Sequence, residues 1–154
     1  MSSSACSACA EIAGNGRAPG GIIFDDGEWY VSHHTGSYTD PGELIVKTHR
    51  HRESLSELTH SEAQALGPIL NSAVRAMEQV VQAERVYAGT FNARVRHVHF
   101  LLLPRTRAMP KGHVISDLYR RGRNLLRGAG LLRNPSMAAR AEAADRIRQA
   151  WNQV

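Results

Sequence analysis

The sequence predicts an α+β fold with a single antiparallel sheet, on three observations. Short apolar runs bounded by turn residues fill the first third of the chain. One long stretch with helical apolar spacing then follows a capping sequence. Two further strand-like runs and a last helical stretch close the chain. The resulting order, β-β-β-α-β-β-α, lacks the alternation of a parallel sheet.

Residues 1–21 are small, polar and glycine-rich, with Cys6 and Cys9 among them. The apolar runs are Ile22-Ile23-Phe24, Trp29-Tyr30-Val31 and Leu44-Ile45-Val46. Asp25-Asp26-Gly27 predicts a hairpin turn between the first two. The stretch from Thr35 to Gly42 predicts a loop. Thr59-His60-Ser61-Glu62 is a capping box, and behind it Ala63, Leu66, Leu70, Ala73, Val74, Met77, Val80 and Val81 recur as a core-packing stripe. Strands are expected over Arg85–Phe91 and Val95–Leu103. Asn134-Pro135-Ser136 interrupts the tail, and Ser136–Trp151 predicts a closing helix.

A chain of 154 residues fits one domain, spanning 1–154, and is long enough to bury a core. No apolar run approaches the roughly 18 residues of a membrane span, and the opening Met1-Ser2-Ser3-Ser4 has neither the basic nor the apolar region of a signal peptide. A cytosolic protein without a membrane partner is expected. Two cysteines are too few for a disulfide scaffold. The formal charge is +5, carried by 17 arginines and only two lysines, Lys47 and Lys111. Arg105, Arg107, Arg120, Arg121, Arg123, Arg127 and Arg133 lie late in the chain. They read as a solvated surface or as a site for an anionic partner. Nucleic acid is not expected, because Tyr119 is the sole aromatic residue among them.

The segment His97-Val98-His99-Phe100-Leu101-Leu102-Leu103-Pro104-Arg105 carries the chemistry. In a strand His97, His99, Leu101 and Leu103 share one face, and Val98, Phe100 and Leu102 the other. Two histidines at i and i+2 can act on one centre, or can simply be hydrogen-bonded side chains. Cys6-x-x-Cys9 can grip one metal ion from a single turn. A redox pair or two unlinked thiols are the alternatives. His49 and His51 lie two residues apart and share a face if Leu44–Arg52 is extended throughout, and His33, His34, His60 and His113 show no partner spacing.

His-Val-His-Phe-Leu-Leu-Leu-Pro-Arg resembles the signature of the histidine triad (HIT) superfamily, His-φ-His-φ-His-φ-φ followed by Pro-Arg. His51-Arg52-Glu53-Ser54-Leu55-Ser56-Glu57-Leu58 resembles the segment that precedes that family's long helix. Cys6-x-x-Cys9 stands where zinc-containing members carry their pair. The matches run in the family's order over residues 5 to 107. The resemblance implies a HIT-like fold, an antiparallel sheet with a long helix after the third strand and a C-terminal helix. Residues 1–21 become a zinc-binding segment and 106–154 a variable tail. It implies a structural zinc held by Cys6, Cys9, His51 and His97, with His49 the competitor of His51. It implies that His99 is the nucleophile of a nucleotide hydrolase or transferase, attacking a phosphoryl, phosphoramidate or adenylate-type centre. It also implies a homodimer.

Asn92, Arg94, Leu101 and Arg105 are the expected substrate-binding residues, for an anionic small molecule; Arg96 is a further candidate. Leu101 replaces the third histidine. Leucine neither donates a hydrogen bond nor carries a proton, so weak or absent turnover of ordinary adenosine phosphoramidates is expected. The family's ribose-binding acid is missing from Ser32-His33-His34-Thr35-Gly36. A diverged enzyme acting on a non-nucleotide metabolite and a non-catalytic binding module are the rival readings.

Overall fold

The computed structural model describes residues 6–16, 18–90, 95–111 and 113–153, the stretch 113–117 as backbone only. Asn92 and Arg94, expected at the substrate, lie outside the described residues. The order is α1 (Ser7–Ile12), β1 (Ile22–Asp25), β2 (Trp29–His33), β3 (Leu44–Thr48), α2 (His60–Val81), β4 (Arg85–Gly89), β5 (His99–Arg105), α3 (His113–Gly128) and α4 (Met137–Trp151), with a 3₁₀ turn at Leu55–Glu57 before α2. The five strands form one antiparallel sheet in the order β1-β2-β3-β5-β4.

Helices α2 and α4 pack against each other and cover one face of the sheet. Trp29, Val31, Leu44, Val46 and Leu102 are fully buried there with Met77 and Ile147. The capping box starts α2. The Thr59 hydroxyl accepts from the Glu62 N–H (3.2 Å), and the Glu62 carboxylate accepts from the Thr59 N–H (2.7 Å). The buried arc of α2 is Glu62, Ile69, Ala73, Ala76 and Met77. Ala63, placed in the stripe by periodicity, is exposed. Glu62 takes the inward position beside it, because its cap and Arg52 satisfy the carboxylate there.

Strand β5 begins at His99, later than the expected Val95. The backbone before it bonds elsewhere. The Val98 N–H donates to the Arg52 carbonyl (2.7 Å), and the Val98 carbonyl accepts from Thr48 N–H (3.2 Å). At its other end β5 runs on to Arg105. Pro104 is tolerated there because β3 has ended and only β4 pairs with it.

Helix α3 was not expected from the sequence, and its arginines are the reason. Arg120 reaches Glu43 (2.9 Å), Arg123 reaches Asp40 (3.3 Å), and Arg127 bonds Asp40 and the Tyr38 carbonyl (2.9 Å). Leu118 and Leu125 point outward, 69% and 76% exposed. Among its described side chains, the helix is docked by ion pairs and its leucines face outward. The late arginines expected at a solvated surface or an anionic partner include these three, which are engaged within the chain.

The second face of the sheet is laid out by strand register. Tyr30, Lys47 and His99 form one row, and Ser32, Ile45, Leu101 and Gly89 the next. Leu103 and Tyr87 follow, pairing between β5 and β4. Helix α1 lies over the first rows, where Glu11 accepts from the Ser32 hydroxyl (2.8 Å) and pairs with the buried Lys47 ammonium (2.8 Å).

The loop between β2 and β3 hangs on a neutral histidine. Burial pushes the His33 pKa down, outweighing its hydrogen bond to the His34 carbonyl and the nearby Glu43. The ring donates from Nδ1 to that carbonyl (2.9 Å) and accepts the Gly42 N–H at Nε2 (3.1 Å). Gly42 itself has φ +88°, and a Cβ there would meet Val81 at 2.5 Å. A histidine depressed on folding contributes stability that is present above its unfolded pKa, about 6.5, and is lost as pH falls through the folded value. The thermal midpoint is therefore expected to be level from pH 8 to 7 and to fall below about pH 6.5. Burial raises the carboxyls of Glu43 and Glu62, but their partners overcome it and hold both low. A second loss is expected below about pH 4.5. His33→Asn, which cannot charge, should start less stable and lose less between pH 7 and 5. An equal slope in thermal melts of both proteins would contradict this.

Candidate metal centre and active site

Cys6 caps α1 in an extended conformation, and Cys9 follows one turn later. His51 comes from the loop after β3, and His97 from the loop before β5. One potential ligand atom from each lies within 4.8 Å of every other. Cys6 Sγ is 3.5 Å from His97 Nδ1, Cys9 Sγ is 3.3 Å from His51 Nδ1, and Cys9 Sγ is 3.5 Å from His97 Nδ1. A zinc ion with tetrahedral S and N ligands at its usual bond lengths has S···N edges of about 3.5 Å. The rings of His51 and His97 stand edge to face, 5.4 Å apart, as two vertices of one tetrahedron allow.

The donor set therefore fits zinc, and four protein ligands make a closed, structural type of site. Burial, followed by Cys6, pushes the Cys9 thiol up to about 11. Two thiolates side by side need a cation between them, which a bound dication supplies. His49, the competing ligand, is instead 3.6 Å from Asp25 and outside the cluster. Neither cysteine is in a disulfide.

The two histidines of the motif are wired to each other. His97 donates from Nε2 to the Thr48 carbonyl (2.7 Å), which turns Nδ1 toward the sulfurs. Burial pushes its pKa down, so the ring is neutral. Its backbone carbonyl accepts from His99 Nδ1 at 2.6 Å. A carbonyl only accepts, so Nδ1 of His99 carries the proton, and the neutral tautomer this bond selects has its lone pair on Nε2. Sequence reasoning left this acceptor unnamed, because the bond is made by backbone. His99 is half-buried, and Lys47 is its partner across the β3–β5 ladder. Burial lowers the Lys47 pKa, against the raising effect of Glu11.

The other expected residues separate. Leu101 follows His99 on the same face. Arg105 is buried against Glu84 (2.7 Å) at the far end of β5, about 20 Å along the strand from His99 by the strand rise. The structure does not bring it to His99. Arg96 is 3.7 Å from Glu53, with its side chain 68% exposed. A carboxylate does lie beside Ser32–Gly36 in space. Glu43 bonds the His34 backbone across the ladder and sits 3.7 Å from its ring, where Arg120 also holds it. It was invisible to a reading that searched only one strand.

No family model and no curated protein matches the chain. Solved structures do match. A HIT-like protein involved in cell-cycle regulation from Bartonella henselae superposes with TM-score 0.70 at 14% identity, covering 95% of this chain and 96% of that one. A zinc-bound histidine triad family protein from Mycobacterium smegmatis gives 0.67 at 20% identity, with 99% and 96% coverage. A uridylyltransferase gives 0.63 at 20% identity; 97% of this chain is covered, but only 46% of that one. The chain has the histidine triad fold, with a Cys-Cys-His-His cluster beside the second motif histidine.

Cys9→Ser should strip the metal and lower the thermal midpoint by about 10 °C, for a loss of several kcal/mol. His49→Ala should keep a full equivalent of zinc. Elemental analysis checks both. Native protein free of zinc, or equal metal loss in the two variants, would overturn the ligand set.

Proposed function

We propose that the chain is a HIT-type enzyme that transfers or hydrolyses a phosphoryl or nucleotidyl group through His99. The observation that carries this is the hydrogen bond from His99 Nδ1 to the His97 carbonyl (2.6 Å). It fixes the tautomer in which Nε2 is a nucleophile at neutral pH. Nε2 attacks phosphorus, the bond to the leaving group breaks, and a phospho-histidine forms. Water or another acceptor then takes the group and restores the ring. Cys6, Cys9, His51 and His97 would hold a structural zinc; bound there, it supplies rigidity rather than chemistry. The substrate is an anionic small molecule. A cytosolic homodimer belongs to the same reading, with no role for nucleic acid or a membrane.

Leu101 favours a second reading, in which the substrate is not an ordinary nucleotide. The position that would help the leaving group depart has no proton to give. Glu43, the acid near the β2 end, is already held by Arg120 and His34. A leaving group that departs without protonation from this side suits such a site.

Rapid quench with a labelled aminoacyl-adenylate or phosphoramidate should trap phosphorus on His99 as an acid-labile adduct. His99→Ala should lose the adduct and about 10²-fold or more of any turnover while keeping its zinc. His97→Ala should lose zinc and stability. Metal loss in both variants, or an adduct surviving in His99→Ala, would show the roles to be misassigned.

A further inference from the structure

The sheet face that carries His99 continues into an apolar strip that the helical core does not use. Leu101 and Leu103 follow His99 on β5, Ile45 pairs with Leu101 on one side, and Gly89 and Tyr87 pair with Leu101 and Leu103 on the other. All five are half-buried. None of the four side chains belongs to the core cluster or packs against it. Gly89 adds no side chain beside Leu101, so the β4 flank of the strip is low there.

Both ends of the strip are closed by charge. At the His99 end, Lys47, Glu11 and Ser32 satisfy one another under α1, with Lys47 and Ser32 almost wholly buried. At the other end, Glu43 is held between His34 and Arg120 under α3. Between His99 and Leu103 the strand rises about 13 Å. The floor is apolar for that length, begins at the nucleophile and stops at a buried ion network.

We infer that this strip binds an apolar body of the substrate, so that the preferred substrates are phosphate derivatives carrying an aliphatic or aromatic group of up to about 13 Å. The inference rests on His99 being the phosphate-handling residue, and it names what lies beside the phosphate. Leu101 and Ile45 set the preference. They contact the apolar group and take no part in bond making. Replacing the polar third histidine by Leu101 thus exchanges a proton carrier for apolar contact.

Unreactive probes separate this from the chemistry. Methyl-, butyl- and hexylphosphonate are titrated calorimetrically into the zinc-loaded protein. A fully buried methylene gains about fourfold in affinity, so a half-buried strip gains about twofold per methylene. Hexylphosphonate should bind at least tenfold more tightly than methylphosphonate. Leu101→Asn should reduce that ratio below threefold. Ile45→Thr, which keeps the branched shape a strand needs, should reduce it partway and serves if the first variant loses zinc or stability. A flat series in the native protein, no binding by any member, or an undiminished ratio in a zinc-loaded folded variant overturns the strip. Adduct trapping on His99 reports separately. An adduct with a flat series overturns only the strip, and a chain-length effect without an adduct overturns only the nucleophile.

Discussion

His97 performs two jobs with two parts of one residue. Its ring belongs to the Cys-Cys-His-His cluster, and its backbone carbonyl receives the Nδ1–H of His99. Whatever fixes the ring therefore fixes the acceptor that sets the His99 tautomer. The ring is fixed twice, by the sulfurs on Nδ1 and by the Thr48 carbonyl on Nε2. Outer partners of this kind set ring orientation as much as the metal does. The adjacent Val98 is bonded to Arg52 and Thr48 on either side. A short stretch of irregular backbone is thereby made as well determined as a strand interior.

The surroundings reinforce that stretch by electrostatics more than by apolar packing. Helix α1 has only six residues and could not persist alone. It is held at one end by its cysteines and at the other by Glu11 on Lys47 and Ser32. Arg52, whose carbonyl supports Val98, is itself tied to Glu62 in the α2 cap. The Trp29 indole donates to the Glu62 carbonyl (2.9 Å), joining this network to the core. Helix α3 repeats the pattern with arginines on Asp40 and Glu43. The consequence for function is division of labour: the α2–α4 face carries the hydrophobic stability, and the opposite face is free to carry the site.

Much of this was legible in the residues, for reasons that differ by element. The capping box placed α2 because its two hydrogen bonds are local in sequence. Asp25-Asp26-Gly27 placed the β1–β2 turn because Gly27 takes the positive φ the turn needs. Strand alternation and the family resemblance together nominated the metal cluster and put His99 and Leu101 on one face. Helix α3 was missed because the described side chains that dock it are arginines, which periodicity reads as solvent. The start of β5 was misplaced because the Val98 N–H bonds to the loop residue Arg52 rather than to a strand. Arg105 looked like a ligand because it follows the motif; its partner, Glu84, lies 21 residues upstream and is found only in space. The Glu43–His34 pairing was likewise a cross-strand fact.

The central claim is that His97, held in the Cys-Cys-His-His cluster, fixes His99 in one tautomer. Nitrogen NMR of histidine-labelled protein at pH 7.5 tests it directly, by reading the protonation of each His99 ring nitrogen with zinc bound and after its removal. The account predicts a neutral ring with the proton on Nδ1 in the zinc form, and averaging between tautomers once the metal is gone. A proton on Nε2 in the zinc form, or an Nδ1–H signal unchanged by zinc removal, would contradict it.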